Sequence, residues 1–132
     1  MIKKLMFAAV IAASVAILSA DAAAQSKTRV KFVGGTHGAT VKGEIRGYAY
    51  KDYVVGASVG QDMSVSISAT NPGTVLTIFR PNGTNLEDAA ETDRYRGELP
   101  ESGDFVIRVG MMRSAARRSG SRSTFSLKIT IK

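Results

Sequence analysis

Alternation of apolar and polar residues is the feature that most limits what this chain can fold into. It is clearest between residues 123 and 132, where the side chains at positions 125, 127, 129 and 131 are apolar and those between them are polar. Side chains of a β-strand point alternately to its two faces, so this segment is predicted to be a strand with one buried face. No stretch of residues 25 to 132 shows a helical period, so we predict an all-β fold. The residues predicted to point inward here are Phe125, Leu127, Ile129 and Ile131.

Turn signals such as Asn71-Pro72-Gly73 and Pro81-Asn82-Gly83 divide the chain into short strands. About eight strands at this spacing predict a small antiparallel β-sandwich. Parallel pairing is not expected, because no segment can serve as a crossover helix. The predicted strands are 28–33, 39–45, 48–59 with a break or bulge near Gly56, 63–69 with Met63, Val65, Ile67 and Ala69 inward, 74–80, 96–99, 104–111 and 123–132. Residues 86–94 are predicted to be irregular, and 113–122 a basic loop with one helical turn at Ala115-Ala116.

The first 24 residues differ in kind from the rest. A basic start at Lys3-Lys4 precedes an apolar run of about 14 residues, and Ala22 and Ala24 form a small-x-small pair. A spanning helix needs roughly 20 residues, so the run is too short for a membrane anchor. We predict a signal peptide over residues 1–24, cleavage before Gln25, and one exported domain over residues 25–132.

The predicted domain is basic, and its charge is uneven. The whole chain contains 18 Lys and Arg and 11 Asp and Glu. The predicted signal peptide contains Lys3, Lys4 and Asp21, so the predicted domain has a net charge of +6. No acidic residue follows Asp104. A one-signed end suggests an anionic partner surface, although solubility alone would explain it more simply. Nucleic acid is not expected as the partner of an exported protein.

The sequence offers little for catalysis. His37 is the only histidine and there is no cysteine, so a zinc site is not expected. No Gly-x-Ser-x-Gly nucleophile motif occurs, and the acidic residues between 87 and 93 lack the spacing of a calcium-binding EF-hand loop. We predict no enzymatic activity, no metal and no cofactor.

Two other features are typical of protein interfaces. Tyr48 and Tyr50 are predicted to share one face of a strand. Arg113 and Arg117 are four residues apart and would lie on one side of the predicted helical turn. Tyrosine and arginine often dominate binding energy at interfaces. Core packing of the tyrosines and solvation of the arginines would explain the same pattern, and these residues alone leave both interpretations open. Basic residues predicted to lie outside this site are Arg122 and Lys128.

A set of ordered segments extends over nearly all of residues 25 to 132. In order and spacing the set resembles the periplasmic inhibitors of goose-type lysozyme, although no single segment is specific. The segments are Gly43–Tyr50 with Tyr53, Gly60-Gln61, Val65–Ser68, Leu99–Phe105, Arg108-Val109, Arg113–Arg117 and Lys128–Lys132.

The resemblance implies a compact β-sandwich that binds lysozyme, most directly the goose type, and blocks its active-site cleft. That cleft carries an essential acidic residue, which the planar fork of an arginine can bind bidentately. One departure is Phe105, where the family usually has tyrosine, so any role of that hydroxyl is lost. The positions that resemble the family's lysozyme-binding surface are Tyr48, Ser102, Gly103, Arg113 and Arg117.

A second resemblance is to the non-catalytic β-sandwich modules appended to secreted bacterial peptidases. It rests on Thr74–Phe79, Pro81–Gly83 and Leu99–Val109. It implies a binding or structural module and does not account for the paired arginines.

Overall fold

A computed structural model describes residues 27–32 and 36–132, which form a sandwich of two four-stranded sheets. The predicted signal peptide lies outside the described residues. Within the described ranges, no helix is long and apolar enough to cross a lipid bilayer. The strands are β1 (Lys27–Arg29), β2 (Gly38–Arg46), β3 (Lys51–Ala57), β4 (Asp62–Ala69), β5 (Thr74–Phe79), β6 (Arg94–Glu98), β7 (Gly103–Met111) and β8 (Arg122–Ile131), and a short helix, α1 (Arg113–Ala116), precedes β8.

The two sheets have the strand orders β1-β3-β7-β5 and β2-β8-β4-β6. The prediction of an antiparallel sandwich is confirmed, with one exception. β1 pairs with β3 in parallel, with Lys27 opposite Asp52. The prediction against parallel pairing was wrong because the connection between these strands is not a helix: β2, which lies between them in sequence, belongs to the other sheet, so the chain crosses the sandwich and returns.

The core lies between the inner faces of both sheets, where the apolar members of each alternating strand meet. The prediction for β8 is confirmed, since all four of its inward residues are buried. Burying a large apolar side chain fully contributes about 1.5–3 kcal/mol. The prediction that Ala69 points inward was wrong: it is exposed at the end of β4, beyond the last residue that pairs with β6. Fully buried residues include Val55, Met63, Leu76, Ile78, Phe105, Ile107, Leu127 and Ile129.

Strand β3 is shorter than predicted and has no bulge. Its pairing with β7 continues without interruption through Gly56, which lies opposite Asp104. An ion pair crosses the strand here: Arg29 Nη2 lies 2.6 Å from Asp104 Oδ2. A Cβ at position 56 would lie 3.4 Å from Asp104 Oδ1, so glycine leaves room for the carboxylate.

Candidate functional site

Tyr48 lies in the turn between β2 and β3, and backbone hydrogen bonds fix the turn on both sides of this residue. The Gly47 amide donates to the Ser121 carbonyl at 3.0 Å, and the Ala49 amide donates to the Arg46 carbonyl at 3.0 Å. Gly47 has a φ of 55°, a conformation that glycine adopts without steric cost. Tyr48 itself is 68% exposed, so the turn presents a large aromatic side chain to solvent.

Tyr50 does not share this exposed face. β3 begins only at Lys51, so Tyr48 and Tyr50 are not on one strand face as predicted. The Arg108 guanidinium lies 4.0 Å from the centre of the Tyr50 ring. It also makes two hydrogen bonds of 2.8 and 3.0 Å to Asp52, which is 3% exposed. These hydrogen bonds raise the pKa of Arg108, and the cluster braces the start of β3 just after the Tyr48 turn.

The predicted helical turn is present as α1, although it begins at Arg113 rather than at Ala115. The Arg117 amide donates to the Arg113 carbonyl at 3.0 Å, which brings the two arginines to the same side of the turn. Ala116 is buried at 4% exposure, whereas both arginines are exposed. Neither arginine has an ion-pair partner among the residues that the structure describes.

The β4–β5 turn packs against α1 and holds it in place. The Met112 amide, just before the helix, donates to the Gly73 carbonyl at 2.8 Å. Asn71 Oδ1 accepts the Gly73 amide at 2.9 Å and so shapes that turn. A side chain at position 73 would collide with Ala115, so glycine is required for this close approach. The arginines are therefore placed by tertiary contacts, because an isolated helix of one turn would not persist in water.

The Tyr48 turn and α1 lie side by side at one end of the sandwich. A Cβ built on Gly47 would lie 3.9 Å from the Ala116 carbonyl oxygen, and Ser121 Oγ donates to that same carbonyl at 3.0 Å. Met112, 43% exposed, adjoins Arg113 and adds an apolar side chain that the sequence analysis missed. The pair Met111-Met112 after a strand was its only signal. We call this surface, formed by Tyr48, Met112, Arg113 and Arg117, the Tyr–Arg end.

Ser102 and Gly103 lie at the opposite end of the sandwich. Gly103 begins β7 and Ser102 directly precedes it, whereas α1 comes just after the other end of the strand. The first and last residues of β7 are eight steps of about 3.4 Å apart, or about 27 Å. Ser102 Oγ accepts the Val59 amide at 2.8 Å and so joins the β3–β4 and β6–β7 turns. Gly103 has a φ of 141°, and a Cβ there would lie 2.8 Å from Pro81 Cγ. The structure thus brings three of the five predicted binding residues together and separates the other two.

Arg122 is closer to the Tyr–Arg end than the sequence analysis assumed. It lines a cleft together with Gly47, the residue before Tyr48, although it is not one of the four residues that form the Tyr–Arg end. The prediction that Arg122 lies outside the lysozyme-binding site stays a prediction. Lys128 points outward from the middle of β8. Among residues 27–32 and 36–132, no group of three or more His, Asp or Glu side chains is arranged to hold a metal ion.

Comparisons with known proteins give matches at the level of structure. No protein-family model and no curated sequence matches the chain. The chain is similar to PliG of Aeromonas hydrophila, a periplasmic inhibitor of g-type lysozyme, with 31% identity and a TM-score of 0.71 over 82% of this chain and 97% of that one. PliG of Salmonella Typhimurium, also an inhibitor of g-type lysozyme, gives 31% identity and 0.69 over 81% and 98%.

A more distant similarity is to the pre-peptidase C-terminal domain of a collagenase from Bacillus anthracis. It has 12% identity and a TM-score of 0.53 over 82% of this chain and 96% of that one, and it shows a shared fold alone. The similarity to the inhibitors combines about 30% identity with nearly the full length of each inhibitor. The chain therefore belongs to the family of PliG periplasmic inhibitors of g-type lysozyme.

Proposed function

We propose that this protein inhibits g-type lysozyme in the periplasm by inserting its Tyr–Arg end into the enzyme's active-site cleft. The observation that carries the proposal is the position of the helical turn with Arg113 and Arg117 next to the turn that exposes Tyr48, with no carboxylate of the described residues neutralising either arginine. Family membership supports lysozyme as the partner, because the similar proteins inhibit g-type lysozyme.

The chemistry of the two surfaces is complementary. Cleavage of peptidoglycan by lysozyme depends on an acidic residue in the cleft. A guanidinium keeps its positive charge at every relevant pH, and its planar fork can donate two parallel hydrogen bonds to such a carboxylate. Tyr48 supplies a large, rigid contact surface with few rotatable bonds. An inhibitor that places these groups in a cleft excludes the substrate without any chemical step of its own.

Rigidity of the Tyr–Arg end favours tight binding. The Tyr48 turn is hydrogen-bonded to Ser121, and α1 is hydrogen-bonded to Gly73, so both segments have their conformation before they meet a partner. Ordering a loop at an interface costs binding free energy, and a preformed surface avoids part of that cost. The side chains of Arg113 and Arg117 still have to be ordered on binding.

Ser102 and Gly103 remain a prediction as lysozyme contacts. Because they lie about 27 Å along β7 from the Tyr–Arg end, contact there would be a second and separate one. Their hydrogen bonding and packing against Val59 and Pro81 already account for serine and glycine at these positions.

Substitution of the arginines tests the proposal. We expect Arg113→Ala and Arg117→Ala to weaken inhibition of goose-type lysozyme. For an arginine that is desolvated against a carboxylate, the loss of binding free energy should be about 2–5 kcal/mol, or roughly 30-fold and more in affinity. An arginine at the rim of the contact should lose less than about 1 kcal/mol. Tyr48→Ala should weaken inhibition with little effect on stability, since the side chain is mostly exposed.

Matched controls are Arg96→Ala and Lys128→Ala. Both remove one positive charge from the outer face of the second sheet, and Arg96 lies on β6, at the opposite edge of that sheet from β2. The assay measures lysis of peptidoglycan by goose-type, chicken-type and invertebrate-type lysozymes in the presence of the domain. Equal small losses in all four arginine and lysine variants would mean diffuse electrostatic attraction and would refute the proposed site.

A further inference from the structure

Three arginines line a cleft of about 450 Å³ beside the Tyr–Arg end. The cleft lies where the end of β2 and the start of β8 meet the loop that follows α1. Each of the three arginines comes from a different one of these segments, so the fold, and not local sequence, brings their charges together. The lining residues are Arg46, Gly47, Arg118, Gly120, Ser121 and Arg122.

The charges in this cleft are not balanced within the described chain. Arg46 and Arg122 lie directly opposite each other in the pairing of β2 with β8, and like charges in that position are destabilising. Arg46 Nε lies 3.1 Å from Glu44 Oε1, which offsets one of the charges. In the part of the chain that the structure describes, Arg118 and Arg122 have no ion-pair partner. Two positive charges therefore remain at one concave site.

The backbone around the cleft is held in place. The Gly47 amide donates to the Ser121 carbonyl at 3.0 Å, and the Ser121 amide donates to the Arg118 carbonyl at 3.1 Å. Gly120 has a φ of 71°, and a Cβ built there would meet no atom within 4 Å, so open space adjoins this residue. A fixed, open cleft with excess positive charge is suited to a small anion that enters from solvent.

We infer that this cleft binds a phosphate group. A phosphate monoester carries about −1.5 to −2 charges at neutral pH and has three strong acceptor oxygens, which matches the two unbalanced guanidinium groups. A single carboxylate would leave one of the two charges unbalanced. Arginine forks match phosphate geometry and bind it bidentately. A phosphate here would also relieve the repulsion between Arg46 and Arg122. The inference does not depend on lysozyme inhibition.

Titration with inorganic phosphate at constant ionic strength, with chloride as the reference anion, tests the inference. The readout is the set of backbone amide NMR shifts of the domain. We expect saturable shifts at Gly47, Gly120 and Ser121 with phosphate and not with chloride. Arg118→Ala/Arg122→Ala should weaken the binding about five- to tenfold, the range expected for two exposed charge pairs.

The matched control is Arg96→Ala/Lys128→Ala, which removes the same charge from the outer face of the second sheet. It should leave phosphate binding unchanged, and an equal loss in this control would overturn the inference.

Vesicles of phosphatidylcholine with and without phosphatidate separate the sources of phosphate. Binding of phosphatidate vesicles that Arg118→Ala/Arg122→Ala abolishes would identify a lipid headgroup as a ligand of the cleft. Vesicle binding that survives this substitution, with no response to inorganic phosphate, would refute the cleft as a phosphate site. Lysozyme inhibition, measured on the same variants, shows separately whether the Tyr–Arg end is intact.

Discussion

Replacing Gly73 with alanine tests directly how the fold places Arg113 and Arg117. Gly73 accepts a hydrogen bond from the Met112 amide at 2.8 Å and lies beneath Ala115 of α1. A methyl group on Gly73 would lie well inside 3.0 Å of the Ala115 Cβ. Carbon atoms pack favourably at about 3.5–4.0 Å, so the two groups would have to separate by more than about 0.5 Å. We expect Gly73→Ala to push α1 away from the β4–β5 turn.

The size of the effect follows from this collision. Forcing an extra methyl group into a packed site typically costs about 1–3 kcal/mol. For a domain of this size, that corresponds to a fall in Tm of about 5–20 °C. Because Arg113 begins α1 and Arg117 directly follows it, inhibition of lysozyme should weaken even at temperatures where the domain stays folded. Thermal unfolding followed by circular dichroism, together with the lysis assay, measures both effects.

A compensating substitution makes the reasoning refutable. Ala115→Gly removes the methyl group that Gly73→Ala would strike, at a cost of about 1 kcal/mol in helix propensity. The double variant Gly73→Ala/Ala115→Gly should therefore be more stable than the sum of the two single changes predicts. An unchanged Tm in Gly73→Ala, or additive losses in the double variant, would show that α1 does not pack on Gly73 as described.

Three further predictions concern pH, a buried hydroxyl pair and processing. The hydrogen bond from Arg29 holds the pKa of Asp104 below its ordinary value, so the pair stabilises the fold above about pH 3.9 and loses this effect as the pH falls through the folded-state value. Arg29→Ala should raise the pKa of Asp104 in an NMR titration, and its stability should converge with that of the parent once the pH falls below the folded-state pKa of Asp104. Thr74→Val removes the hydroxyl that lies 2.6 Å from the fully buried Ser123 Oγ, and should lower the free energy of unfolding in urea by about 1–3 kcal/mol. N-terminal sequencing of periplasmic material should find Gln25, within two residues, as the first residue.

Much of the fold could be predicted because it depends on local alternation. In β8 and β7 the apolar residues recur at every second position, and burial of one face then follows from strand geometry alone. The parallel pair of β1 and β3 could not be predicted in this way. It arises because β2, the strand between them in sequence, belongs to the other sheet. Which sheet a strand joins depends on contacts between residues that are distant in sequence.

The candidate site was predicted in its residue types and only partly in its arrangement. The spacing of Arg113 and Arg117 on one helical turn is a local property, and the structure retains it. The distance of Ser102 and Gly103 from these arginines is set by the length of β7, which no local pattern connects to binding. The approach of Arg122 to Gly47 could not be predicted for the same reason, because it depends on the pairing of β8 with β2.

By itself, the sequence determined an all-β chain, the buried face of strands such as β7 and β8, and a basic helical turn after β7. These properties depend on side-chain period and turn residues, which act over a few positions. The tertiary structure alone decided that the turn carrying Tyr48 lies beside α1, that Arg46 lies opposite Arg122, and that Gly73 packs against Ala115. Each of these contacts joins segments that are far apart in the chain, so it exists only once the two sheets have paired and packed around a common core.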